Sequence, residues 1–238
     1  MYRRTREQLR RSVVIQLSII IPTLNEADNI VATLMPLQAL RQQGHEVIIS
    51  DGGSNDTTVA LAQPLIDNLV TTTQCRAVQM NSGATLATGD ILLFLHADTQ
   101  LPDNAAALIE TALQNKTWGR FDVRLSGAQP LLRVIEFMMN WRSRLTGICT
   151  GDQALFIRQG LFQAIGGFPE IVLMEDIALS RSLKPQSHPV CITTAVITSS
   201  RRWENHGIVR TMVLMWRLRL AYFCGIDPQR LAALYKQR

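Results

Sequence analysis

The stretch NSGATLATGDILLFLHAD, residues 81–98, sets the fold. Its first half is rich in small residues and belongs to a helix expected from Gln79 to Thr88. Its second half, ILLFL (91–95), is apolar without alternation, as a strand covered on both faces must be. The run then gives way to His96-Ala97-Asp98. A helix, a buried strand and polar residues at the strand's carboxyl end make one unit of a parallel α/β sheet.

The unit recurs along the chain. LSIII (17–21) reads as the first strand. Thr23 and Glu26 fit a T-x-x-E capping box opening a helix. Ile30, Leu34 and Leu37 give that helix a buried side, and Pro36 should kink or end it. EVIIS (46–50) is a second strand, followed by the turn DGGSND (51–56), a helix from Thr57 to Asp67, and a third strand, LVTTT (69–73). A helix should start at Pro102 and run to about Asn115. GRFDVRL (119–125), ALFIR (154–158) and PVCITTAVI (189–197) read as strands. Leu131 to Leu145 reads as a helix, and IGGFPEIVLMEDIALSRSL (165–183) as a turn and helix. Right-handed crossovers in such a sheet place ligands beyond the strands' carboxyl ends. Three polar clusters, Thr23–Glu26, Asp51–Asp56 and His96–Asp98, should therefore meet in one crevice.

The 238 residues suit one large α/β domain, because no linker interrupts the pattern. At 47% hydrophobic and 18% charged, the chain should fold. The net charge of +5 suits phosphate-rich ligands or anionic lipid, and equally a solvated basic surface. Cys75, Cys149, Cys191 and Cys224 lie far apart without metal spacing and read as reduced thiols of a cytoplasmic protein. Arg3, Arg4, Arg6, Arg10 and Arg11 precede an apolar run and imitate a signal peptide. No small-residue cleavage site follows, so residues 1–16 read as a basic tail. Ile208 to Ile226 is the one candidate span, but it contains Arg210, Arg217 and Arg219. Each mid-membrane Arg costs roughly 2.5–3.5 kcal/mol against about 0.3–0.6 gained per large aliphatic, which argues against spanning. Val209, Met212, Val213, Trp216, Leu220 and Phe223 share one helical face. That face either packs on the core or lies in a membrane interface. Residues 17–203 are then the domain, and 204–238 amphipathic C-terminal helices.

Two nucleotide patterns are absent: GxGxxG after the first strand and GxxxxGK[ST] anywhere. This excludes the phosphate loops of a dehydrogenase and of a P-loop ATPase. Instead Asp51 and Asp56 bracket a turn whose Gly52 and Gly53 would bring backbone amides close to a ligand. Asp51 could accept from a base or ribose; Ser54 or Asn55 could instead simply cap a helix. Asp98, ending an apolar strand, suits a hard divalent cation, Mg²⁺ or Mn²⁺. Its other reading is a cap for the helix near Pro102. Glu175-Asp176 opens a helix, which the macrodipole alone favours. The functional reading makes one of them the base that deprotonates an acceptor hydroxyl.

Taken in order, SIIIPTLNE (18–26), DGGSNDTT (51–58), NSGATLATGDILLFLHAD (81–98), RQGLFQAIGGFPE (158–170) and MEDIALSRSL (174–183) resemble family 2 glycosyltransferases of the GT-A type. The resemblance covers about residues 17 to 203. It implies a GT-A fold, a mostly parallel central sheet flanked by helices. It implies inverting transfer of a hexose-like sugar from a UDP- or GDP-sugar donor, assisted by a divalent metal. Pro22, Thr23, Asn25, Glu26, Asp51 and Gly53 would bind base and ribose, and Asn81 and Gly83 would line the nucleotide site. His96, Ala97 and Asp98 match the family's D-x-D motif, with Asp98 on the metal and His96 replacing the first Asp. Asp176 would be the base, supported by Glu175. SRRWENHG (200–207) looks like a truncated form of the family's basic, Trp-containing motif. Arg201 or Arg202 would hold the diphosphate, Trp203 would line the acceptor site, and His206 could complete the metal shell. Asp152 and Asp122 are candidate acceptor or sugar contacts. The acceptor stays open, a lipid-linked one suiting the basic, apolar C-terminus and peripheral contact with the inner face of a membrane. No nucleic-acid partner is expected. A sugar-nucleotide-forming nucleotidyltransferase is the second reading, although PTLNE stands where its basic Gly-rich loop would be. A non-catalytic membrane-surface binding protein is the third.

Overall fold

The computed structural model describes residues 15–236. The basic tail expected over residues 1–16 lies almost wholly outside them. Eight strands form one mixed sheet: β1 (Leu17–Thr23), β2 (Glu46–Asp51), β3 (Asn68–Thr71), β4 (Ile91–Phe94), β5 (Thr99–Gln100), β6 (Trp118–Leu125), β7 (Phe156–Arg158) and β8 (Val190–Thr198). Their order is β3-β2-β1-β4-β7-β6-β8-β5. The first four pair in parallel, with Ile19 beside both Val47 and Leu93. β7 runs antiparallel to β4 and β6, while β8 is parallel to β6 with an irregularity between Phe121 and Asp122.

The helices are α1 (Ile30–Gln42), α2 (Thr58–Ala62), α3 (Arg76–Leu86), α4 (Ala105–Ala112), α5 (Pro130–Thr146), α6 (Gln159–Ala164), α7 (Glu175–Leu183), α8 (Arg201–His206), α9 (Ile208–Phe223) and α10 (Pro228–Lys236). Side chains alternate across a strand, so each central strand feeds two cores. Leu17, Ile19, Ile21 and Leu93 meet Ile30, Leu34 and Leu37 of α1, Ile109 of α4 and Ile135 of α5. Ile20, Ile48, Leu92 and Phe94 meet Ala77 and Met80 of α3, Phe162 of α6 and Leu179 of α7. The central sheet flanked by helices read from the sequence is present, and its β5, β6, β7 and β8 half is mixed rather than parallel.

Several local readings change. Thr23 and Glu26 do not box a helix start. Thr23 ends β1, and its hydroxyl donates to Asp51 Oδ1 at 3.1 Å. The Glu26 carbonyl accepts from the Asn29 and Ile30 amides instead, so α1 begins four residues later. Pro36 does not end α1, which runs on to Gln42. A helix-interior proline costs about 3 kcal/mol. The buried Leu34, Leu37 and Leu40 beside it, each contributing about 1.5–3 kcal/mol, outweigh that. The helix expected to reach Asp67 stops at Ala62 and passes into a 3₁₀ turn at Gln63–Leu65. Short β5 and α6 were not foreseen.

The C-terminal segment departs most. α9 buries Ile208, Thr211 and Leu218, whereas Val209, Val213, Trp216, Leu220 and Phe223 are exposed. The stripe read from the sequence is therefore not the packing face. α5 likewise exposes Val134, Phe137, Trp141 and Leu145. No described helix is long and apolar enough to cross a membrane.

Candidate active site

The site lies at the carboxyl ends of β1, β2 and β4, closed by the starts of α3 and α7 and by α8–α10. The loop after β1 and the turn after β2 are laced together. The amides of Asn25, Glu26 and Ala27 donate to Ser54 Oγ (2.9 Å), Thr58 Oγ1 (2.7 Å) and Asp56 Oδ2 (3.2 Å). Asn25 Oδ1 accepts from the Asn55 amide at 3.0 Å. Asp51 is 2% exposed and accepts from Thr23 Oγ1, Ser54 Oγ and the Gly53 and Ser54 amides. Gln79 donates to the Thr23 and Ser50 carbonyls, both at 2.8 Å, clamping β1 to β2.

Above these ends opens a cleft of about 820 Å³, the size of a small-molecule site. Pro22, Thr23, Glu26, His96, Ala97, Asp98, Asp152, Glu175, Arg201, Arg202, Trp203 and His206 line it, so most of the predicted residues converge. A narrow pocket of about 20 Å³ adjoins it, lined by Pro22, Arg76, His96, Glu175 and Asp176. That is room for about one water.

Six predicted residues do not line either space: Asn25, Asp51, Gly53, Asn81, Gly83 and Asp122. Asn25 and Asp51 hold the turn from behind. Asn81 exchanges two 2.9 Å hydrogen bonds with the Phe168 backbone. A Cβ on Gly83 would collide with Ile20, so this glycine seats α3 on β1. Asp122 pairs with the fully buried Arg120 and with Arg144.

His96, in place of an acid, is not free. Its Nδ1 lies 3.3 Å from Asp152 Oδ1, joining the end of β4 to the turn Gly151–Gln153. The ring sits so close to Gly151 that any Cβ there would collide with it. Asp98 has no cationic partner among the described residues, and its nearest donor is Thr99 Oγ1 at 3.5 Å. Asp98 and His206 share the cleft, while no described cluster of three His, Cys, Asp or Glu exists. This donor set fits a hard cation that takes most of its shell from phosphate and water.

Asp176 is oriented by two amides, Gly151 N to Oδ2 at 3.0 Å and Ile177 N to Oδ1 at 2.7 Å. Burial, then the charge of Asp176, pushes the Glu175 carboxyl up to about 6, with Arg76 opposing. Three non-glycine residues adopt left-handed backbone: Asn25, Ala154 and Met174. They fall in the loop after β1, beside the Asp152 turn and immediately before Glu175. Such strain gathers where a site over-determines the backbone.

Arg76, Gln79, Met215 and Tyr235 also line the cleft and were missed from the sequence. Arg76 begins α3, just past the end of β3, so the strand-end rule that found the other clusters also reaches it. Tyr235 had no sequence signal; the Arg202 guanidinium stacks 3.8 Å from its ring centre. Arg201 reaches Glu26 at 3.6 Å.

This mixed sheet gathers strand-end carboxylates and guanidinia around one cleft. The family model for glycosyl transferase family 2 matches residues 18–163, more than half of the chain, and the chain belongs to that family. It is 35% identical over 169 residues to a PGL/p-HBAD biosynthesis glycosyltransferase of Mycobacterium bovis (strain BCG / Pasteur 1173P2). The match covers 63% of this chain and 62% of the relative, so it spans less than two thirds of that protein's length. An uncharacterized glycosyltransferase of Mycobacterium tuberculosis (strain ATCC 25618 / H37Rv) is 32% identical over 164 residues, covering 63% and 62%. Among solved structures, S. aureus TarS 1-349 superposes with a TM-score of 0.64 at 17% identity, covering 78% of this chain and 61% of that one. Mannosyltransferase PcManGT from Pyrobaculum calidifontis, in complex with GDP-Man and Mn²⁺, gives 0.62 at 22% identity, covering 86% and 60%. At these identities the structures establish the GT-A fold.

Proposed function

We propose that the protein transfers a hexose-like sugar from a nucleotide-diphosphate donor to an acceptor hydroxyl, in one displacement with inversion at the anomeric carbon. The observation that carries this reading is the placement of Asp176. Its carboxylate, held by two amides, lines the narrow pocket that adjoins the cleft lined by Asp98, Arg201 and Arg202. Asp176 takes the acceptor proton as the hydroxyl oxygen bonds to the anomeric carbon. The bond from that carbon to the donor phosphate oxygen breaks, and its electron pair leaves with the nucleotide diphosphate. Arg201 and Arg202 bind the diphosphate, Arg202 being braced on Tyr235. Asp98, with His206 lining the same cleft, would hold Mg²⁺ or Mn²⁺, which would neutralise charge on the leaving group. Pro22, Thr23 and Glu26 face the base and ribose, a reading supported by the similar folds of S. aureus TarS 1-349 in complex with UDP-GlcNAc and PcManGT in complex with GDP-Man.

In this reading the protein sits peripherally on the cytoplasmic leaflet and receives a lipid-linked acceptor. The exposed stripe of α9, flanked by exposed Arg210 and Arg217, supports that placement. The test is Asp176→Asn. Transfer from a UDP- or GDP-sugar should fall roughly 10²–10⁴-fold, with donor binding by calorimetry unchanged. Normal turnover in Asp176→Asn would rule out the base assignment. Asp98→Ala should weaken donor binding only when Mn²⁺ is present.

A further inference from the structure

His96 and Asp152 line the cleft, yet neither takes part in the transfer described above. They are each other's partners. His96 Nδ1 lies 3.3 Å from Asp152 Oδ1, and no arginine or lysine comes within ion-pair distance of Asp152 among the described residues. The imidazole is 12% exposed and is fixed by its surroundings, whereas the Asp152 side chain is 41% exposed and has His96 to hold it. A ring nitrogen set against a carboxylate carries its hydrogen in the neutral and the charged imidazole alike. The contact therefore does not depend on titration.

The turn that carries Asp152 also holds the base. Gly151 N donates to Asp176 Oδ2 at 3.0 Å, and Cys149 N donates to Ser180 Oγ at 3.0 Å. Asp176 and Ser180 are four residues apart on α7 and so share one face of it. The turn is thus tied along α7 on one side and, by Asp152 through His96, to the end of β4 on the other. Between these ties it is stiff. Thr150 and Gln153 form a capping box around it, Gln153 is fully buried, and Ala154 leaves it in left-handed backbone at φ 45°. Gly151 has no room for a side chain beside the His96 ring. His96, Gly151 and Asp176 line the same narrow pocket. A shift of Asp152 therefore passes to the adjoining Gly151 amide, and from there to the Asp176 carboxylate.

We propose that His96 is a positioning residue for the base: by holding Asp152 it fixes the Gly151 amide, which aims the Asp176 carboxylate at the acceptor hydroxyl. The segment after β4 that carries Asp98 then also sets where the base stands, so one strand end fixes the spacing between leaving group and base. The proposal rests on the glycosyltransferase reading, because only there is Asp176 a base.

The test uses the full chain and compares wild type with His96→Ala, His96→Asn, Asp152→Ala and the double alanine variant. Calorimetry gives UDP and GDP affinity with Mg²⁺, and nucleotide release from a UDP- or GDP-sugar, with water as acceptor, gives kcat and KM. His96→Ala and Asp152→Ala should each lower kcat roughly 10–10²-fold, with KM and nucleotide affinity kept within about twofold. The double variant should be no slower than the slower single one, because both remove the same link. Asn places an amide where Nδ1 stands, so His96→Asn should recover most of the loss, which a merely space-filling role would not allow. His96 is packed and its alanine variant can fail to fold. Asp152→Ala then carries the expectation alone, with its thermal midpoint confirming the fold. Without any substrate, hydrogen exchange at the Gly151 amide, followed by NMR, should quicken roughly tenfold in Asp152→Ala. Nucleotide affinity lost with kcat retained would make His96 a donor contact and overturn the positioning role. Unchanged kcat or unchanged Gly151 exchange in Asp152→Ala overturns it too, and each of these results leaves the transferase reading intact. Failure of UDP and GDP to bind at all removes the transferase reading and the role of His96 with it.

Discussion

Glu175 should make the folded protein less stable at neutral pH than its amide would. It is 8% exposed, and its carboxyl is raised from 4.5 to about 6, chiefly by burial and then by Asp176. Below pH 4.5 the group is protonated in folded and unfolded chains alike and changes nothing. Between 4.5 and 6 the unfolded chain ionises first, so the folded state binds more protons and stability falls as pH rises. Above 6 the penalty levels off. A shift from 4.5 to about 6, at 1.36 kcal/mol per unit, amounts to about 2 kcal/mol. Glu175→Gln keeps the shape and removes the charge. Urea unfolding of both proteins from pH 4 to 8 should show no difference at the acid end. It should show a gain of up to about 2 kcal/mol for the variant at pH 7.5, with reduced transfer activity. Contributions common to both proteins cancel. Equal stability at pH 7.5, or a gain that does not vary with pH, would refute the assignment of a buried, charge-crowded carboxyl.

Gly151→Ala should drive a methyl into the His96 ring and cost about 1–3 kcal/mol; a lowered thermal midpoint together with lost transfer checks this. Leu220→Glu, on a side chain 66% exposed, should leave stability within about 0.5 kcal/mol. The same variant should reduce binding to anionic phosphatidylglycerol vesicles roughly tenfold, measured by sedimentation with neutral vesicles as the control.

The fold was legible because β1, β2 and β4 are apolar on both faces, and because each stops at a polar cluster. The same rule, joined to motif order, pointed to Asp98, Glu175, Asp176, Arg201 and Arg202, which line the cleft or the pocket beside it. Other motif residues serve the scaffold and line neither space. Asn81 looks like a ligand contact in sequence, but its amide is spent on the Phe168 backbone. Asp51 stands at a strand end, yet its oxygens are filled by its own turn. Periodicity placed the apolar stripe of α9 without showing which way it faces, since Ile208, Thr211 and Leu218 bury the other side. Tyr235 was invisible because its partner, Arg202, lies far away along the chain.

The lacing between the loop after β1 and the turn after β2 has a consequence for how this protein could diversify. The half of the crevice beneath the nucleotide is cross-tied by its own amides and hydroxyls, so it is built before any ligand arrives. The opposite wall comes from α9 and α10, which attach through a small separate cluster around Leu218 and Leu231. Under the proposed transferase reading, altering that wall would retune which molecule receives the sugar and leave the tied half undisturbed.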